Sequence, residues 1–112
     1  MTNPTIRDSS ARKVVAVARQ IVTYQIGLPV GCQRMIRTWS PLLKDGLKMK
    51  AAFENYMQEV IGFPIGSERL QWNRDALQEK DRMLERINIE HRDRIFEACW
   101  ALIDLLTETE AR

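Results

Sequence analysis

Apolar residues recur at helical spacing along almost the whole chain, and glycine and proline supply the punctuation between them. Val14, Val17, Ala18, Ile21 and Val22 share one face of a first helix, with Arg12, Lys13, Arg19 and Gln20 largely opposite. Ser9 or Ser10 can cap its start by accepting from an otherwise unpaired backbone N–H, which leaves residues 1–8 as a frayed leader. Gly27-Leu28-Pro29 predicts a kink or short break, because proline lacks an N–H and disfavours helical geometry in the residue before it. Helix resumes near Pro29 and runs to Trp39, burying Cys32, Met35, Ile36 and Trp39. Ser40-Pro41 is a second interruption, after which Leu42 and Leu43 lead into a turn at Lys44-Asp45-Gly46. A third helix over about 47–61 places Met49, Phe53, Tyr56, Met57, Val60 and Ile61 near one face.

Gly62-Phe63-Pro64-Ile65-Gly66 holds two glycines and a proline in five residues and reads as a loop. Ser67 can cap a single helical turn through Trp72. Asn73 then suits the N-cap of a last helix, with Asp75 in its first turn favoured by the helix dipole. From Asn73 to Glu108 no glycine or proline intervenes, and Leu77, Leu84, Ile87, Ile95, Ala98, Leu102 and Leu105 recur at helical spacing. At 1.5 Å per residue that helix is about 50 Å long. The pattern predicts an all-α fold, a single domain over 1–112. It is an elongated antiparallel bundle of three to four helices with a long C-terminal helix, whose far end runs past the others or packs in a dimer.

A net charge of +2 is too weak to imply nucleic acid, but the charge is unevenly placed. Residues 1–66 carry nine Lys or Arg against four acids, and residues 67–112 carry eight against eleven. Such polarity pairs the chain's own helices or offers an acidic face to a basic partner. The stretch Met1–Ser10 lacks the apolar core of a secretory signal, and the longest uncharged stretch, Gln20–Gln33, is too polar for a membrane span. The expectation is a cytoplasmic protein in which Cys32 and Cys99 are buried free thiols.

Chemistry-bearing patterns are sparse. His91 is the only histidine and falls on the apolar stripe of the last helix, with no carboxylate or thiol among its helical neighbours at three and four residues. That suits a satisfied structural histidine. The Glu-x-x-His pairs with which helical bundles build di-metal sites are missing, as are a nucleophile motif and a phosphate-binding glycine loop. No catalytic residue, cofactor or metal is therefore expected. Arg34, Arg37, Arg19 and Lys13 form at most a modest basic strip, without the dense cluster of a nucleic-acid binder.

The most distinctive segment is Gly62-Phe-Pro-Ile-Gly-Ser-Glu-Arg-Leu-Gln-Trp-Asn-Arg-Asp-Ala-Leu-Gln-Glu-Lys-Asp81. It resembles a family of small, uncharacterised bacterial all-helical proteins in which a Leu/Phe-Pro-x-Gly loop is followed by Arg, then Trp, then Ala-Leu-x-x-Lys-Asp. Ile26-Gly27-Leu28, Gly31-Cys32 and Ala98-Cys99 are similar to that pattern too, so the resemblance spans about residues 14–106. The chain departs from it at Pro29 and at Ile61-Gly62. Some such proteins resemble immunity products of interbacterial toxin loci, which implies binding a protein partner, such as a cognate toxin, rather than chemistry. The segment reads first as a structural corner, in which Pro64 ends the loop, Trp72 seals the bundle end and Arg69 pairs with a nearby acid; the alternative is that it displays Glu68, Arg69, Asp81 and Glu85 to that partner. The competing expectation is a structural or regulatory homo-oligomer, a homodimer for instance, held through Ile95, Ala98, Leu102 and Leu105.

Overall fold

The computed structural model describes residues 4–41 and 43–110, with side chains for residues 9–41 and 43–107. Four helices follow in order: α1 (Pro4–Val22), α2 (Leu28–Thr38), α3 (Leu47–Glu59) and α4 (Arg74–Glu110), with a short 3-10 turn (Gly66–Gln71) before the last. The described residues contain no strand. The long axis of the molecule is 52 Å and the other two are 24 and 21 Å. A 37-residue helix rising 1.5 Å per residue accounts for the long one by itself.

Burial follows the expected periodicity. Val14, Val17, Ala18 and Ile21 from α1, Cys32 and Met35 from α2, and Phe53 and Tyr56 from α3 meet Ile95, Cys99, Leu102 and Leu106 of α4 in one core. Ile95, Ala98 and Leu102, expected as an oligomer surface, are interior residues of this bundle. Only Leu105 of that set is exposed, because α1 and α3 already cover the stripe its companions form. Fully buried positions on α4 lie between His91 and Leu106, while nothing N-terminal to them is buried. The sparsely covered end of the rod is therefore its beginning, not its far end.

α1 is already helical at Pro4, a residue favoured in a first helical turn. Ser10 is therefore no cap: it lies buried within the helix, and its hydroxyl oxygen accepts from the Ser40 backbone N–H at 3.4 Å. Of the expected leader, residues 1–3 lie outside the described residues, as does Leu42 of the expected turn. The break after α1 comes a few residues before Pro29. Tyr24 takes a left-handed conformation, φ 61°, and the Gln20 carbonyl accepts from the N–H of Gln25 and of Ile26. Pro29 then sits in the first turn of α2, where its missing N–H costs nothing. The Asn73 cap is present, with Oδ1 accepting from the Ala76 N–H at 2.8 Å.

Two glycines mark close approaches. A Cβ on Gly31 would lie 2.6 Å from Ile21 Cγ1, so α1 and α2 meet there with no room for a side chain. Gly46, at φ 81°, turns the chain into α3, and a Cβ there would lie 2.7 Å from Leu102 Cδ2. Gly46→Ala combines backbone strain with a clash against a buried leucine, and is expected to cost about 1–3 kcal/mol in chemical denaturation. A variant within error of wild type would show that the Leu102 side of the turn gives way freely.

Candidate functional site

The loop after α3 is built from the inside out. Pro64 is buried, and Phe63 and Ile65 pack against the edge of the core. Glu68 Oε1 accepts from the Ile65 backbone N–H at 2.6 Å, which ties the start of the 3-10 turn to itself. This is half of a capping box: the glutamate reaches back, but isoleucine has no oxygen to return the bond. Arg69 then reaches across to α4, donating from Nη1 and Nη2 to the two Asp81 oxygens at 2.7 and 2.9 Å. Fork-to-fork pairing of this kind fixes direction as well as distance. The Lys80 ammonium lies 5.1 Å from the centre of the Phe63 ring, a second contact from α4 to the loop.

Three of the four residues expected to face a partner thus brace the corner itself. Glu68 holds the turn's entry, and Arg69 and Asp81 join the turn to α4. Glu85 is not part of the brace; it pairs loosely with Arg92, at 3.8 Å. The Arg69–Asp81 hydrogen bonds lower the Asp81 carboxyl below its ordinary value and raise the guanidinium, with mutual charge attraction acting in the same direction.

What the corner displays is apolar. Trp72 does not seal the bundle: it ends the 3-10 turn just before α4 and is 37% exposed. Leu70 is 88% exposed and Ile61 81%. Ile61 lies past the end of α3 at Glu59, off the apolar face where helical spacing had placed it. No sequence signal marks Leu70, since an isolated leucine in a short polar turn reads equally as an anchor into the core.

His91 is buried as expected, but it is not alone. Its Nε2 lies 2.6 Å from Glu59 Oε2, a carboxylate delivered by the end of α3 that no spacing on α4 reveals. Tyr56 meets the imidazole edge-on, with ring centres 5.7 Å apart, and donates its hydroxyl to Asn88 Oδ1. Nδ1 is buried without a partner, so the ring is only half satisfied. Both cysteines are buried free thiols. Desolvation pushes the Cys99 thiol up to about 12 and raises Cys32 further, so neither is poised as a nucleophile.

Comparison of the chain with models of known protein families, with curated proteins and with solved structures finds no match. Among the described residues, no helix is long and apolar enough to cross a membrane.

The brace carries a pH signature. A carboxyl whose folded value is depressed contributes stability above its unfolded value, about 3.9, and loses that contribution as pH falls through the lowered folded value. The melting difference between wild type and Asp81→Asn should be small at pH 7, because the pair is solvent-screened. It should vanish as the solution is acidified below pH 4. A difference that grows on acidification would contradict the assignment.

Proposed function

We propose that the chain is a non-catalytic protein-binding module that docks through the Ile61–Trp72 corner. The observation that carries this reading is the combination at that corner of large exposed apolar side chains with a backbone held by directional polar contacts. Glu68 to the Ile65 N–H and Arg69 to Asp81 fix the turn, while Leu70 and Ile61 stay in solvent and Trp72 is partly exposed. A turn held by such contacts that shows leucine and part of a tryptophan to water is poorly explained by stability alone. It suits an anchor that enters a partner's pocket without first losing loop entropy.

The acidic balance of residues 67–112 favours a partner with a basic rim around that pocket. The resemblance to small bacterial immunity-type proteins points to a toxin or other cytoplasmic enzyme as that partner, which binding would occlude. The homo-oligomer built on α4 has less support, since three of its four expected contact residues are interior.

Affinity purification of wild-type chain from its native host should recover one protein in stoichiometric amount. Leu70→Asp should lose that protein while melting within about 1 kcal/mol of wild type, as exposed substitutions usually do, and Trp72→Ala should lose it too. Equal recovery by the variants, or no stoichiometric protein with wild type, would contradict the proposal. A Trp72→Ala loss of about 3 kcal/mol or more would return the residue to the core.

A further inference from the structure

We infer that Glu59, Glu90 and His91 form a binding site for one divalent transition-metal ion, of the class that includes Zn2+ and Co2+, clamping the end of α3 to the middle of α4. One carboxylate oxygen from each glutamate and a ring nitrogen of His91 lie within 4.8 Å of one another. The donor set is one imidazole and two carboxylates, the mixture that such ions take, with solvent positions left for water. Four-coordinate zinc with bonds of about 2.0–2.1 Å needs donor atoms about 3.3 Å apart. Both glutamates are exposed, so rotation of their side chains alone can close the set.

The electrostatics ask for a cation. Two carboxylates converge on this spot, and among the described residues the only basic group paired with either is His91 itself. Arg92, the arginine beside His91 in sequence, is turned to Glu85 instead, at 3.8 Å.

The histidine supplies an independent reason. It is only 6% exposed, and its ring is set by packing against Tyr56 rather than by a second hydrogen bond. Nε2 is therefore aimed at Glu59 before any ion arrives, and an ion can take it once the ring proton moves from Nε2 to Nδ1. The unpartnered Nδ1 also sets the strength. A metal on Nε2 leaves the ring's proton on Nδ1, where no acceptor stands, and such outer partners are worth 10–100-fold in affinity. Binding is expected in the micromolar range rather than the nanomolar.

The site is independent of what the corner binds, and its test needs only the purified, untagged chain. Titration calorimetry with Zn2+ should give one ion per chain at micromolar affinity, with Mg2+ failing to compete. Co2+ should bind with visible absorption bands typical of four or five coordination. Glu90→Gln, a change at an exposed position, should weaken both at least tenfold while metal-free melting stays unchanged. Glu59→Gln should weaken them similarly. No saturable binding at millimolar metal would overturn the inference, and so would equal affinity in wild type and both variants.

Discussion

The structure depends on the burial of one stripe of α4. Ile95, Cys99, Leu102 and Leu106 are almost wholly removed from water, and α1, α2 and α3 are amphipathic helices whose apolar faces close over that stripe. None of the three shorter helices could bury its face alone, and helices of 11 to 19 residues gain little from propensity without such packing. Gly31 and Gly46 show how tight the closure is, since each stands where a methyl group would strike a core side chain.

Because the buried stripe occupies only the C-terminal half of α4, the other half needs a different support. It receives one from the corner before it. Pro64 and Phe63 bring the loop down onto the bundle, and Arg69 fastens it to Asp81 one full stretch into the exposed helix. A surface ion pair contributes little to global stability. Its effect here is positional: it joins the turn to α4, in a turn that leaves Leu70 exposed and Trp72 partly so.

The helices were legible because their signals are local. Apolar spacing, the Asn73 cap and the Pro29 and Gly62–Gly66 interruptions each act within a few residues, and the structure places helices and breaks close to where those signals put them. Where the sequence reading was incomplete or wrong, a contact remote in sequence is involved. Trp72 has the composition of a core residue, but the turn that Arg69 ties to Asp81 leaves it 37% exposed. His91 has no acid neighbour on its own helix, yet α3 brings Glu59 to 2.6 Å. Ser10 has the look of a cap, but helix already extends to Pro4 and the hydroxyl serves Ser40 instead.

The central claim is that the corner is preformed: a turn held in place by Glu68 and Arg69 before any partner arrives. Backbone 15N relaxation of the free chain tests it most directly. The account predicts order parameters of about 0.85 from Ile65 to Trp72, equal to those in the core helices, with a marked drop in Arg69→Ala. Values below about 0.6 across the turn in the wild-type chain would mean that it is mobile, and would contradict the claim.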